Sequence, residues 1–363
     1  MSDLLRFYEL TVKRVKPEAS HSVVVTLVVP SQLKMAFAFQ PGQYLGVKAQ
    51  IGGEEVRRNY SICSSRSSFD EVNEIEIGIR AVEGGLFSNW AVNQLQTGMR
   101  LSVMPPQGRF VCKLPGAKHR VGFAAGSGIT PILSIMSSSL AQEPDSQFTL
   151  VYGNRNTASV MFNEALQDLK DRYTERVTLI HVLSKQAQEI ELLQGRLDHE
   201  KITELLKTIL PAQSIDEVFV CGPQGMMDAV TETLVQAGVA HERIHAERFV
   251  VEGHVPRTVN ASAAATHLEK KDVLLTLVLD GKQHQLQMGM NEKILDAGLA
   301  AGLDLPYSCR GGVCCTCRAK VMQGSVAMEK NFTLEEWETK QGFVLSCQSK
   351  PTSQSVTLSF DER

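Results

Sequence analysis

The sequence predicts a multidomain protein: an antiparallel β-barrel, then a doubly wound α/β domain on a parallel sheet, then a small α+β domain. Three observations carry this reading. Residues 1–113 are short apolar runs broken by Gly and Pro turns, residues 117–250 alternate strand-like and helix-like runs, and residues 272–363 combine a hairpin, a helix and closely spaced cysteines. A chain of 363 residues is too long for one ordinary core, so a serial arrangement is expected.

In the first part Val23–Val29 and Tyr44–Val47 are β-branched or aromatic runs, and Glu74–Arg80 alternates apolar and polar residues. Pro41-Gly42, Gly52-Gly53 and Gly84-Gly85 supply turns, and such punctuation suits a small antiparallel barrel. In the second part Val121–Ala125, Phe148–Tyr152, Val177–Leu183 and Glu217–Cys221 read as buried strands. Pro131–Leu140, Phe162–Tyr173, Ile202–Ile209 and Gly225–Gln236 read as the helices between and after them. That alternation predicts a parallel sheet with ligands at the strand C-termini.

Residues 251–271 have no period and contain Asn260-Ala261-Ser262-Ala263-Ala264-Ala265, so they read as a linker. A flexible segment of that length spans on the order of 25 Å. Beyond it Val273–Leu279, Asp280-Gly281 and Gln283–Met288 signal a hairpin. Asn291 is placed to cap a helix through Ala301, and Phe343–Ser346 and Val356–Phe360 read as closing strands.

Composition excludes several classes. A formal charge of −3 with 21% charged residues gives no reason to expect nucleic acid or an anionic membrane as partner. No aliphatic run approaches the roughly 20 residues of a membrane span. The start Met-Ser-Asp-Leu-Leu-Arg-Phe-Tyr lacks an apolar signal core, so a cytoplasmic protein with reduced thiols is expected.

The chemistry is concentrated in Cys309, Cys314, Cys317 and Cys347, spaced C-x4-C-x2-C with a distant fourth member. This is the plant-type ferredoxin spacing for a [2Fe–2S] cluster. Gly311 and Gly312 let backbone N–H groups approach the sulfides. Structural zinc is disfavoured because only one short C-x2-C knuckle is present. Cys315 breaks the spacing and is expected as a small buried filler; Cys63, Cys112 and Cys221 are expected to pack. Such a cluster moves one electron at a time, so the rest of the chain is expected to supply or receive electrons.

Three other runs stand out. Arg58-Asn59-Tyr60-Ser61 ends a strand, Gly84-Gly85-Leu86-Phe87-Ser88 joins close backbone approach to a hydroxyl, and Gly126-Ser127-Gly128-Ile129-Thr130-Pro131 lies between a strand and a helix. The last suits a pyrophosphate at a helix N-terminus, with Pro131 in the first turn, although it is not G-x-G-x-x-G. Cys221-Gly222-Pro223 follows another buried strand and is expected on the same sheet edge.

Together these runs resemble the ferredoxin–NADP reductase superfamily, in family order and over essentially the whole chain. The resemblance implies FAD in the barrel, with Arg58 on flavin phosphate, Tyr60 against the isoalloxazine, Ser61 near its redox-active nitrogen, and Gly85 and Ser88 at the pyrophosphate. It implies that Gly126, Gly128, Thr130, Pro131, Cys221, Gly222 and Pro223 face the nicotinamide nucleotide, and that Glu247 and Phe249 lie near the flavin. Ser61 and Glu247 are the implied catalytic pair. The C-terminal part is then a β-grasp ferredoxin domain. The module order resembles reductase components of bacterial oxygenases, most closely those of the phenylacetyl-CoA epoxidase group.

NADPH is favoured over NADH, because Arg155 and Lys185 follow strand ends, Arg196 follows a short loop later, and all three are expected at one sheet edge, where an adenosine 2′-phosphate needs cations. The expected function is delivery of single electrons to an oxygenase component, first a phenylacetyl-CoA epoxidase-like di-iron enzyme. A Rieske hydroxylase, desaturase or hybrid-cluster protein is the alternative acceptor, and a redox-sensing module is the remaining reading. The docking rim is expected at Ser308, Arg310, Gly311, Gly312 and Val313.

Overall fold

The computed structural model describes residues 6–249 and 272–362; the expected linker 251–271 falls outside them. The chain divides into two compact units, one of Phe7–Phe249 and a second that holds residues 272–362.

The first unit opens with β1 (Tyr8–Pro17), β2 (Ser22–Val28), β3 (Tyr44–Ile51), β4 (Glu54–Ser61), β5 (Glu74–Arg80) and β6 (Arg100–Val103). Helices α1 (Arg66–Val72) and α2 (Leu86–Gln94) flank β5 in the chain. The strands pair antiparallel in the order β4-β3-β6-β1-β2-β5. The two ends of this sheet meet: Ile62 bridges Ile77, and Cys63 N–H donates to Glu76 O at 2.9 Å. Leu10, Val25, Phe37, Leu45, Ile77 and Leu101 fill the interior.

A parallel sheet follows, built from β7 (His119–Ala125), β8 (Gln147–Asn154), β9 (Val177–Leu183), β10 (Glu217–Cys221) and β11 (Ile244–Glu247) in the order β11-β10-β7-β8-β9. Helices α3 (Ile129–Gln142), α4 (Asn163–Arg172), α5 (His199–Thr208) and α6 (Gln224–Gln236) connect them. Two apolar clusters lie on its two faces, one holding Ile132, Phe148 and Phe219 and the other Val151, Ile202 and Val230. Burial on both faces explains why the strands are near-continuous apolar runs rather than alternating ones. The order of strands and helices is the expected one. The boundaries moved by a few residues, because capping decides helix ends: α5 starts at His199, where the Asp198 side chain accepts Lys201 N–H.

The second unit contains β12 (Val273–Leu279), β13 (Lys282–Met288), α7 (Ile294–Ala300), β14 (Arg318–Gln323), β15 (Val326–Met328), α8 (Glu336–Lys340), β16 (Phe343–Leu345), β17 (Ser349–Pro351) and β18 (Ser355–Ser359). Its sheet runs β13-β12-β18-β14-β16, with β12 and β18 parallel and the other pairs antiparallel. The α7 helix contributes Ile294 and Leu295 to a core shared with Leu275, Leu277 and Val356. One expectation is corrected here: Asn291 does not cap α7. The helix begins later, with Lys293 at its N-cap and no side-chain cap bond.

Among the described residues, no helix is long and apolar enough to cross a membrane.

Candidate functional site

The barrel contributes the first half of a site. In the β3–β4 register Tyr60 opposes Leu45 and Ser61 opposes Tyr44. Strand alternation therefore puts Arg58 and Tyr60 on one face and turns Ser61 to the other. The Tyr60 ring packs against Phe87 of α2 with centroids 5.5 Å apart. That contact brings the R-x-Y-S strand beside the Gly85–Ser88 turn. Ser88 Oγ accepts Val82 N–H at 3.3 Å and so ties the segment before α2 to its first turn.

On the other side of β4, Ser61 Oγ donates to Glu247 Oε2 at 3.2 Å, across 186 residues of sequence. Glu247 ends β11, where it pairs with Cys221 of β10. Burial of its carboxyl pushes Glu247 up to about 8, and the Ser61 hydrogen bond only partly offsets this. It therefore holds its proton at neutral pH. Burial also pushes the Cys221 thiol well above its ordinary range, with the Glu247 charge adding to the effect. A serine from the barrel and a cysteine and a carboxyl from the sheet thus meet at one junction. Phe249 is 38% exposed, so it is not a core aromatic.

The nucleotide loop begins where β7 ends. Gly126–Gly128 form a 3-10 turn that runs into α3. A Cβ on Gly128 would stand 2.1 Å from Cys221 O, so only glycine lets this loop touch the Cys221-Gly222-Pro223 strand end. The two expected nucleotide-facing runs are adjacent for that reason. Thr130 is turned inward, its Oγ1 donating to Ser127 O at 3.0 Å, and Pro131 is buried in the first turn. These two shape the loop from behind.

Past the strand ends the backbone ladder continues. Ser184 N–H donates to Asn154 O at 2.9 Å, Lys185 N–H to Arg155 O at 2.8 Å, and Gly195 N–H to Leu183 O at 3.0 Å. Arg155, Lys185 and Arg196 therefore sit on three neighbouring chain segments at one sheet edge. All three are exposed.

One functional candidate was missed from sequence. Arg80, the last residue of β5, reaches from the barrel to the loop: its Nη1 lies 3.3 Å from where a Gly126 Cβ would be. Nη2 donates to Ser159 O at 2.6 Å, Nε is buried without a partner, and no carboxylate pairs it among the described residues. Burial depresses its pKa, with Arg155 adding repulsion. An unpaired guanidinium beside a helix N-terminus is favourable only with an anion between them. The sequence signal was slight, a basic residue closing the strand before Gly84-Gly85.

In the second unit the four cysteines fall into two pairs. Cys314 Sγ lies 3.0 Å from Cys309 Sγ, and the Cys317 thiol bonds Cys347. The Cys314 bond draws Cys309 down to about 6; burial opposes it, and the N–H groups of Gly311, Val313 and Cys314 reinforce it. The Cys317 bond likewise lowers Cys347 against burial. Gly311 N–H points at Cys309 Sγ at 3.4 Å, and Gln348 Nε2 at Cys347 Sγ at 3.5 Å. Among the described residues no three His, Cys, Asp or Glu side chains converge on one point. Two thiol pairs ringed by backbone donors are instead the donor set a two-iron cluster needs, so these residues fit [2Fe–2S].

Two expectations about this loop change. Cys315 is half-buried rather than fully buried: it packs against the apolar core, with its Sγ 3.1 Å from Thr333 Oγ1. Ser308 and Gly312 are buried, because the loop folds inward around the cysteines, which removes them from the expected rim; Arg310 stays exposed but pairs with Asp296.

Comparison with known proteins agrees with this layout. Residues 11–112 match the oxidoreductase FAD-binding domain, residues 123–232 the oxidoreductase NAD-binding domain, and residues 277–352 the 2Fe-2S iron-sulfur cluster binding domain. The chain is 43% identical, over 98% of each chain, to one of the component proteins of the 1,2-phenylacetyl-CoA epoxidase of Escherichia coli (strain K12). The protein belongs to this family of FAD- and [2Fe–2S]-dependent reductases. It is also 33% identical to the ferredoxin reductase component of 3-ketosteroid-9-alpha-monooxygenase from Rhodococcus rhodochrous, covering 97% of this chain and 96% of that one. Among solved structures, phthalate dioxygenase reductase shares the fold with a TM-score of 0.59 over 98% of both chains, at 22% identity. The chain is thus an oxidoreductase with FAD, nicotinamide-nucleotide and [2Fe–2S] domains, of the kind found as reductase components of oxygenases.

Proposed function

We propose that this reductase takes electrons from NADPH and delivers them singly to a phenylacetyl-CoA epoxidase-type di-iron oxygenase in the cytoplasm. The observation that carries the acceptor is the 43% identity, over 98% of both chains, to the epoxidase component. When bound, FAD and the cluster supply the conversion of a two-electron input to one-electron output.

The chain's own residues do the positioning. Arg58, Tyr60, Gly85 and Ser88 hold the flavin from β4 and α2. The Ser61–Glu247 pair holds a proton at the junction of barrel and sheet, where the flavin ring and nicotinamide must meet, and Phe249 covers that edge. Gly126, Gly128, Gly222 and Pro223 leave room for the nucleotide pyrophosphate, with Arg80 neutralising it and Cys221 at the nicotinamide end. Arg155, Lys185 and Arg196 receive the 2′-phosphate, which is why NADPH is preferred to NADH. Cys309, Cys314, Cys317 and Cys347 hold the cluster, and Arg310, Gly311 and Val313 remain as its docking rim.

The experiment is coupled turnover. Purified reductase with the oxygenase proteins of a phenylacetyl-CoA epoxidase should consume NADPH in proportion to epoxide formed. The similarity to the 3-ketosteroid-9-alpha-monooxygenase component supports the second reading, the same reductase serving another oxygenase. Coupling only to such an enzyme would transfer the function there.

A further inference from the structure

Glu247 depends on an unusually weak support. Its strand, β11, has four residues, lies at the edge of the sheet, and among the described residues is bonded along one side only, to β10. Short edge strands are where a sheet opens most readily. Yet the Glu247 carboxyl must stay within hydrogen-bond reach of Ser61.

Two residues earlier on the same face is His245. Its ring stacks on Phe219 of β10 at 5.1 Å and 28°, and Phe219 meets Phe110 edge-on at 5.5 Å. Its Nε2 lies 3.1 Å from Glu217 Oε1 at the start of β10. The other oxygen of Glu217 accepts Arg120 Nε at 3.1 Å. Arg120 is completely buried and is anchored on its far side by Glu143, the residue after α3. Burial works to raise Glu217, but the hydrogen bonds from His245 and Arg120, with the guanidinium charge, outweigh it and keep it a carboxylate. A carboxylate only accepts, so His245 Nε2 carries the hydrogen and donates. The chain Glu143–Arg120–Glu217–His245 therefore runs from the sheet interior to the edge strand.

We propose that His245 is the positioning residue for Glu247. By donating to Glu217 it holds β11 in the register at which the Glu247 carboxyl meets Ser61. This rests on the reading of Ser61–Glu247 as the proton-holding pair beside the flavin.

The test uses the full-length holoprotein and the limiting rate of flavin reduction at saturating NADPH, with nucleotide affinity measured separately. His245→Phe keeps the stack on Phe219 and removes the donor. Only the part of that bond's strength that reaches Glu247 through β11 acts on the rate, so the limiting rate should fall by about twofold to tenfold. Flavin content and NADPH affinity should be unchanged. His245→Gln restores a donor and should recover the rate. On a Glu247→Gln background His245→Phe should cost nothing further, since the two act through one group. If His245→Phe loses flavin, His245→Asn, too short to reach Glu217, is read in its place. An unaltered rate in His245→Phe, a full multiplicative loss on the Glu247→Gln background, or a His245→Gln protein as slow as His245→Phe would each overturn the proposal. Glu247→Gln alone separates the two layers. A parent-like rate in that variant removes the Ser61–Glu247 reading and this inference with it. A slow Glu247→Gln beside an unaltered His245→Phe removes the inference alone.

Discussion

The junction of barrel and parallel sheet and the four-cysteine loop are built in opposite ways. In the four-cysteine loop three of the four thiols lie within Cys309–Cys317, and the Cys309–Cys314 pair closes over five residues. At the junction, Ser61 and Glu247 meet across 186 residues, and Gly128 touches Cys221 across the sheet. The loop is a local object whose geometry follows from spacing. The junction is a product of the fold, assembled only when β4, β10 and β11 are all in place. Damage should therefore be all-or-none in the loop and graded at the junction.

The sharpest break is to remove the second unit. A chain ending at Ala265 keeps all of Phe7–Phe249, which has its own cores. It should stay yellow and oxidise NADPH with ferricyanide, and lose cytochrome c reduction by the cluster route. A truncated protein that is soluble but free of flavin would show that the first unit is not self-sufficient.

At the sheet edge that carries Lys185 and Arg196, Arg155→Ala should weaken NADPH far more than NADH. One charge-assisted hydrogen bond is worth roughly 1.5–3 kcal/mol, or about 10- to 150-fold in affinity, with Lys185 and Arg196 sharing the load. Equal loss for both nucleotides would take Arg155 out of the 2′-phosphate site. Arg80→Gln should behave differently. The amide can still donate to Ser159 O, but the charge beside Gly126 is gone, and the pyrophosphate is common to both nucleotides. NADH and NADPH should weaken alike, by roughly tenfold. A selective effect on NADPH would move Arg80 to the phosphate of the ribose.

The smallest effect is a pH dependence. Glu247 is raised from an ordinary value of 4.5 to about 8. Between those values the folded protein holds a proton that the unfolded chain has released. Stability therefore falls as pH rises through that window and levels off above about 8. Glu247→Gln removes this component, so its Tm relative to the parent should improve between pH 5 and pH 8. A constant difference would mean that the carboxyl titrates normally in the folded state.

The same contrast explains what was legible in the sequence. The cysteine spacing, the R-x-Y-S strand and the glycine loop are short-range patterns, and their places in the fold followed from them. β11 was not legible as a strand: Ile244–Glu247 is four residues long and acquires its conformation from β10. Arg80 looked like any strand-ending cation, because nothing local shows that its guanidinium lacks a carboxylate. Asn291 was legible and misleading, since a good capping residue stands near α7 without capping it. Spacing alone says nothing of the surroundings of Cys315, because its neighbour Thr333 comes from a later loop.

Electrons are expected to enter at the junction and leave through the four-cysteine loop. Anaerobic addition of NADPH to the holoprotein, followed by flavin absorbance and by electron paramagnetic resonance of the reduced cluster, tests it directly. In the parent, flavin bleaching should be followed by the cluster signal. In Cys309→Ser, bleaching should persist and the [2Fe–2S] signal should be absent. A normal cluster signal in Cys309→Ser, or a parent protein whose flavin bleaches while its intact cluster stays oxidised, would contradict the account.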